Sequence, residues 1–167
     1  MRLSLLPKVM APALTALTPE YLQEKGIGLL MLDFDNTIVP YTTCDPTPEM
    51  DTWLRKMQAS DVQLCIVSNT KRDRVRVFCA PYGIPVITHA AKPFGKGIGR
   101  CLQQFGADPA QCALVGDQIY TDTLGANLNG VTSILIPAID NHNFWLKLRH
   151  VAELPFIFFA RKRRISL

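Results

Sequence analysis

Apolar runs rich in β-branched residues alternate along the chain with segments of helical periodicity. Four of these runs predict buried strands of a parallel sheet, because such strands are covered on both faces and read as nearly continuous hydrophobic stretches. A shorter run predicts a fifth strand. The predicted strands cover residues 27–32, 62–67, 84–87, 113–115 and 131–136.

Helical patterns predict a short leading helix before the first strand and further helices between the strands. Two of them open with a threonine cap followed by proline, at Thr18-Pro19 and Thr47-Pro48, and the first ends at Gly26. The others cover residues 71–80, 96–105 and 121–129. Because strand and helix alternate, the predicted fold class is α/β, with a mainly parallel five-stranded sheet and right-handed crossovers.

Length and charge limit the domain organisation and the partners. A chain of 167 residues fits one domain, spanning 1–167, with a core over about 27–136 and a tail over about 141–167. The net charge of +4 is mild, so we expect no nucleic-acid partner.

The cysteines and the apolar stretches indicate a reducing compartment and no membrane span. Five cysteines occur with no CxxC spacing, which favours buried thiols over disulfides or a zinc site. Pro7, Lys8 and Pro12 interrupt the apolar start of the chain, so a signal peptide is a weak interpretation. No run reaches the roughly 18 apolar residues that a membrane-spanning helix needs.

Polar side chains follow the predicted strands at their carboxyl ends. The run DFDNT occupies residues 33–37, SNT occupies 68–70, Lys92 precedes a proline, and GDQ occupies 116–118, with Asp122 shortly after. Open α/β sheets bind ligands at this edge. We therefore expect these carboxylates, the serine hydroxyl and the ammonium to converge on one site.

The convergence has a chemical logic. The carboxylates of Asp33 and Asp117 repel each other, so a cation between them would stabilise the site. A main-chain carbonyl near Asp35 adds a third oxygen donor, and this donor set suits Mg²⁺. Lys92 and the metal reduce the repulsion between an attacking carboxylate and a phosphate. Asp35 is placed to move the proton of the leaving group.

Other interpretations of the same residues stay open. Ser68 can donate to a phosphate oxygen, with the amide of Asn69 beside it, or act as a helix cap. Lys96 competes with Lys92 for its role, and Asp122 can be a charge in the first turn of a helix. Residues 33–37 can also form a simple turn.

Over about residues 27–136 the chain resembles the haloacid dehalogenase (HAD) superfamily, which has four motifs in a fixed order. The matching features here are, in that order, DxDxT, a serine, a lysine before proline and GDxxxxD. The resemblance implies a Rossmann-like three-layer sandwich and an aspartyl-phosphate mechanism. An acid/base aspartate two residues after the nucleophile implies a phosphatase rather than a dehalogenase. The resemblance implies that Asp33 is the nucleophile and Asp35 the acid/base. It implies phosphate contacts for Ser68 and Lys92, beside the contact already expected of Asn69. The implied metal ligands are Asp33, Asp35 through its carbonyl and Asp117, and Asp122 would bind the waters of the metal.

A wider pattern resembles the YqeG branch of HAD subfamily IIIA, which is similar to phosphatidylglycerophosphate phosphatases of mitochondria and plastids. It implies hydrolysis of phosphatidylglycerophosphate to phosphatidylglycerol. A phosphatase for a soluble small molecule and a non-catalytic receiver-like or scaffold protein are the alternatives. The pattern comprises Leu6-Pro7 and residues 18–22, 33–37, 68–69, 92–96 and 116–122.

Two features bear on the substrate. The gaps 37–68 and 70–92 are too short for a cap domain, so we expect an open, capless site that a large substrate, a membrane or a partner subunit covers.

Aromatic residues at 144–146 and 156–159 precede the basic run 161–164, which suits an anionic membrane surface. A packed terminal element, a solvated tail and an RNA contact are the other interpretations of these residues. The expected location is cytoplasmic, peripheral on the inner face of the membrane.

Overall fold

A computed structural model describes residues 3–43, 45–71, 73–140 and 155–160. Its six strands are β1 (Val9–Met10), β2 (Leu29–Leu32), β3 (Gln63–Val67), β4 (Val86–Ile87), β5 (Cys112–Gly116) and β6 (Thr132–Leu135). They form one sheet in the order β1-β6-β5-β2-β3-β4, and every neighbouring pair is parallel. The predicted α/β class is confirmed.

The sheet has one strand more than the five that we predicted. The additional strand, β1, pairs with β6 through only Val9↔Ile134 and Met10↔Leu135. It lies between Pro7 and Pro12 and its two residues are half-buried. So short an edge strand shows no hydrophobic periodicity, which is why the pattern of the sequence missed it.

The helices are α1 (Pro19–Glu24), α2 (Pro48–Gln58), α3 (Arg74–Cys79), α4 (Gly97–Phe105) and α5 (Leu124–Leu128), and residues 155–160 are also helical. Thr18 and Thr47 cap α1 and α2 as predicted, since each side chain accepts a hydrogen bond from the third residue after it. The predicted helix 121–129 instead opens with a π-helical turn, Ile119–Thr123.

Alternating side chains of β2 face two separate cores. Leu30 and Leu32 pack with residues of α1, α2 and α3 on one face of the sheet. Leu29 and Met31 pack with residues of α4 and α5 on the other. The strand is fully buried, as a central parallel strand between two helical layers must be. The fold is therefore a three-layer sandwich.

The strand order reverses at β2. From β2 the chain continues to β3 and β4 on one side, then crosses to β5 and β6 on the other. Ligands of open α/β sheets bind in the crevice at such a reversal. Asp33 directly follows β2 and Asp117 directly follows β5, so the crevice lies between two of the predicted site residues.

Little chain lies between the elements that carry the site. Among the described residues between Thr37 and Ser68, the regular elements are α2 and β3, and among those between Thr70 and Lys92 they are α3, a short 3₁₀ turn and β4. The described part of the chain thus contains no cap domain.

Two further predictions concern the thiols and the tail. Cys65, Cys79, Cys101 and Cys112 are buried free thiols, while Cys44 lies outside the described residues. The aromatic residues 144–146 and the basic run 161–164 also lie outside them. Within the ranges that the structure describes, no helix has the length and apolar character needed to cross a bilayer.

Candidate active site

Lys92 links two aspartates at the centre of the crevice. Its Nζ lies 2.7 Å from Asp33 Oδ1 and 2.7 Å from Asp122 Oδ1, and its side chain is 1% exposed. Burial opposes the charge of Lys92, but the two carboxylates outweigh it and raise the pKa of this lysine above its ordinary value. Lys96, the alternative, is exposed, so Lys92 is the lysine in this cluster.

Three buried aspartates share the crevice. Carboxylate oxygens of Asp33, Asp117 and Asp122 all lie within 4.8 Å of one another. Burial raises the pKa of Asp122 to about 6, opposed by Lys92 and reinforced by the Asp33 charge. One ammonium does not balance three carboxylates, and a hard divalent cation fits both the charge and the oxygen donors.

Asp122 owes its position to the backbone around it. In the π-helical turn, the amides of Asp122 and Thr123 both donate to the carbonyl of Gln118, and the Gln118 amide donates to Asp122 Oδ2 at 3.2 Å. A Cβ added to Gly116 would lie 2.2 Å from Asp122 Oδ2. Glycine at 116 is therefore what lets this carboxylate approach the strand end.

Asp35 is held by an arginine that the sequence analysis did not single out. Arg74 Nη2 lies 2.7 Å from Asp35 Oδ1, and the guanidinium also donates to the carbonyls of Pro40 and Tyr41. It lies over the Phe34 ring, 5.1 Å from the centroid. The signal that could have found Arg74 is a cation in the first turn of a helix, where the helix dipole disfavours it.

The two predicted phosphate contacts after β3 differ in what they touch. Ser68 Oγ accepts from the Thr70 amide at 3.2 Å, so its own proton can still be donated to a phosphate oxygen. The Asn69 side chain instead binds the Lys92 backbone: Oδ1 accepts from Lys92 N at 2.7 Å and Nδ2 donates to Lys92 O at 3.1 Å. The Asn69 side chain therefore positions the Lys92 segment, and the phosphate contact of Asn69 stays a prediction.

Asn36 and Thr37 serve the turn after β2. Asn36 has a positive φ of 62°, and its Nδ2 donates to the Asp140 carbonyl at 2.7 Å. Both residues are buried. Neither lines the cavity of about 310 Å³ at the crevice, whose walls are Asp33, Asp35, Tyr41, Ser68, Asn69, Thr70, Lys92, Gln118 and Thr121.

Comparison with known proteins decides the family. The family model of haloacid dehalogenase-like hydrolases matches residues 11–130. The chain belongs to this family. It is 35% identical over 138 residues to the probable phosphatase YqeG of Bacillus subtilis, covering 82% of this chain and 80% of that protein. The predicted superfamily and branch are confirmed, and the protein is a phosphatase.

More distant relatives carry a more specific name. The chain is 26% identical over 171 residues to phosphatidylglycerophosphate phosphatase 1, chloroplastic/mitochondrial, of Arabidopsis thaliana, covering 97% of this chain and 46% of that protein. A chloroplastic phosphatase of the same name from Chlamydomonas reinhardtii is also 26% identical, with 51% of it covered. This chain spans about half the length of these two relatives.

Solved structures show the same fold. The cobalt-bound deoxy-D-mannose-octulosonate 8-phosphate phosphatase of Haemophilus influenzae matches with a TM-score of 0.54 at 12% identity, covering 75% of each chain. A protein from Listeria monocytogenes matches with a TM-score of 0.54 at 17% identity, covering 79% of this chain and 99% of that one.

Proposed function

We propose that this phosphatase hydrolyses phosphomonoesters through an aspartyl-phosphate on Asp33, with Mg²⁺ as cofactor. The proposal rests on one cluster of side chains. In it Lys92 Nζ binds Asp33 Oδ1 at 2.7 Å, and the carboxylates of Asp117 and Asp122 lie close to that of Asp33. Lys92 orients the Asp33 carboxylate, and Asp33 lines the cavity, where a phosphate would meet it.

Mg²⁺ would be held by Asp33, Asp117 and the main-chain carbonyl of Asp35, with Asp122 acting on its waters. When bound, the ion supplies positive charge that neutralises the carboxylates and stabilises the transferring phosphoryl group. The excess of buried carboxylates over ammonium groups supports this part of the proposal.

The chain's own residues carry the chemical steps. An Asp33 oxygen forms a bond to phosphorus as the bond to the leaving oxygen breaks, and Asp35 gives that oxygen the proton held on its Oδ2, while its Oδ1 accepts from Arg74. Ser68 and Lys92 donate to the non-bridging oxygens. A water oxygen then attacks phosphorus, Asp35 takes the proton of the water, and the Asp33 carboxylate separates from inorganic phosphate.

The proposed substrate is phosphatidylglycerophosphate, and the proposed location is peripheral on a membrane. Two relatives bear the name of that activity. Phe94, two residues after Lys92, is 78% exposed. The Phe156 ring lies edge-on to Tyr120, 6.3 Å between centroids, while Phe158 and Phe159 are exposed. Exposed aromatic residues such as these suit contact with a lipid surface.

A phosphate-release assay over a substrate panel tests the reaction and the substrate together. The panel contains phosphatidylglycerophosphate in mixed micelles, glycerol 3-phosphate, a sugar phosphate, a nucleoside monophosphate and p-nitrophenyl phosphate. We expect release that needs Mg²⁺, that EDTA abolishes, and that Asp33→Asn lowers at least about 10⁴-fold. Asp61→Asn, at an exposed position, is the matched control. Release from small esters alone assigns a soluble substrate, and release from no ester overturns the proposal.

Sedimentation with vesicles tests the membrane contact separately. We expect the protein to bind vesicles containing phosphatidylglycerol and Phe94→Ser to bind them more weakly. Val77→Ser is the control, since Val77 is also exposed but belongs to α3 rather than to the Lys92 segment. Equal binding by wild type and Phe94→Ser removes Phe94 from the proposed surface.

A further inference from the structure

We propose that Arg74 is a positioning residue for the leaving-group side of the site, holding both the Asp35 carboxylate and the wall formed by Tyr41. The inference rests on the proposed role of Asp35 as proton donor. It assigns to Arg74 a part in catalysis that acts through these two neighbours.

The first support is the number of bonds that converge on one guanidinium. Nη2 donates to Asp35 Oδ1 at 2.7 Å and to the Pro40 carbonyl at 3.1 Å, and Nη1 donates to the Tyr41 carbonyl at 2.6 Å. Asp35 and Tyr41 both line the cavity. The planar fork of arginine can bridge such separate acceptors at once, which the ammonium of lysine does poorly.

The second support is the environment of the pair. The side chains of Arg74 and Asp35 are 12% and 13% exposed, whereas the pairs Lys25–Glu24 and Lys56–Glu20 lie on the surface with every side chain more than half exposed. Surface pairs contribute little, since water competes for both partners. The Arg74–Asp35 pair is largely shielded from that competition, so it fixes the geometry of both side chains.

The third support is that the side chain of Arg74 binds residues outside its own helix. A cation at the first residue of a helix opposes the helix dipole, and Arg74 is the first residue of α3. Its contacts lead away from α3, to residues 33 to 39 positions earlier in the chain. The side chain therefore serves the segment after β2, which carries Asp35 and Tyr41.

This arrangement predicts a dependence on the leaving group. A proton from Asp35 matters most when the leaving alcohol or phenol is weakly acidic, and little when the anion leaves readily. Phenyl phosphate and p-nitrophenyl phosphate have nearly the same shape but differ in the acidity of the leaving phenol. Misplacing Asp35 must therefore slow the first ester more than the second.

The experiment measures kcat and KM of the full chain with both esters in the presence of Mg²⁺. For Arg74→Gln we expect kcat to fall about 10²-fold for phenyl phosphate and less than about 10-fold for p-nitrophenyl phosphate, with little change in KM. Arg74→Lys keeps the charge without the fork and is expected to show the same selectivity in weaker form. Arg76→Gln, two residues along α3 and exposed, is the matched control.

Equal losses with the two esters, in a variant that is folded by circular dichroism, overturn the proposal and leave Arg74 a structural residue. A second criterion is the double variant Arg74→Gln/Asp35→Asn. If Arg74 acts on proton transfer through Asp35, the ratio of the two esters' kcat values in this variant equals that of Asp35→Asn alone; a further change in this ratio overturns the inference. Wild type that hydrolyses neither these two esters nor any ester of the substrate panel overturns the proposed function itself, which separates the two failures.

Discussion

Two cavities of about 310 Å³ each lie at opposite ends of the sheet. The one at the carboxyl ends of the strands gathers Asp33, Asp35 and Lys92. The one at the amino ends of β3 and β4 has no aspartate, glutamate, lysine, arginine or histidine in its walls, which are Gln58, Ser60, Val62, Gln63, Leu64, Tyr82, Gly83, Ile84, Pro85 and Phe105. The two cavities thus have equal volumes but differ in the charge of their walls.

The difference follows from the direction of the strands. In a parallel sheet every strand ends at the same edge, so polar residues that follow several strands meet there. At the amino ends the chain arrives from helices, and Tyr82 and Ile84 bring apolar surface. Removing one side chain should therefore be costly at the carboxyl end, where charges are buried, and mild at the amino end.

The largest effect on stability is expected for Lys92→Met. The substitution leaves Asp33 and Asp122 buried without their ammonium partner, and breaking such a buried pair costs about 3–5 kcal/mol. Urea unfolding without added metal measures the change in the free energy of unfolding. Lys96→Met, at an exposed position, should stay within about 0.5 kcal/mol of wild type. A Lys92→Met protein as stable as wild type would show that the cluster does not depend on its lysine.

The central strands could be predicted from the sequence because they are buried on both faces. The run at 27–32 contains β2, and the run at 62–67 contains β3; continuous apolar residues leave few other structures for them. β1 could not be predicted, since two residues pairing at an edge carry no periodic signal. The π-helical turn at Ile119–Thr123 was missed because its hydrophobic pattern resembles that of an α-helix.

The site divides in the same way. It could be predicted from the sequence that Asp33, Asp117 and Lys92 lie close together, because each follows a strand or precedes a recognisable turn. The contact of Arg74 with Asp35 could not be predicted, because Arg74 lies in α3 rather than at the end of a strand. The Asn69 bonds to the Lys92 backbone join residues 23 positions apart. Such side-chain contacts depend on tertiary packing, which local patterns do not encode.

An intermediate effect is expected for Gly116→Ala at the carboxyl end of β5. The added Cβ would overlap Asp122 Oδ2, and relieving such overpacking costs about 1–3 kcal/mol. Because Asp122 and Lys92 would shift together, we expect activity on p-nitrophenyl phosphate to fall as well. Thermal melting and steady-state rates measure the two effects.

Gly99→Ala is the matched control for that substitution. Gly99 lies in α4, and a Cβ added there would meet no atom within 4 Å beyond its chain neighbours and the backbone of its own helix. Alanine in a helix interior is favoured over glycine by about 0.5–1 kcal/mol, so this variant should melt at or above the wild-type temperature with unchanged rates. Equal behaviour of the two variants would contradict the close fit between Gly116 and Asp122.

The smallest effect is expected at the amino end, for Tyr82→Phe. Tyr82 Oη donates to Asp51 Oδ1 at 2.5 Å, and losing this bond should cost about 0.5–1.5 kcal/mol without changing activity at neutral pH. Burial raises the pKa of Tyr82 to about 12, and the bond to Asp51 adds to the shift. Since an unfolded tyrosine ionises near pH 10, the stabilisation is complete below about pH 10 and is lost as the pH rises towards 12. From pH 9 to pH 11 the melting temperature should therefore fall further in wild type than in Tyr82→Phe. A loss of phosphatase activity in Tyr82→Phe would show that the two ends of the sheet are coupled.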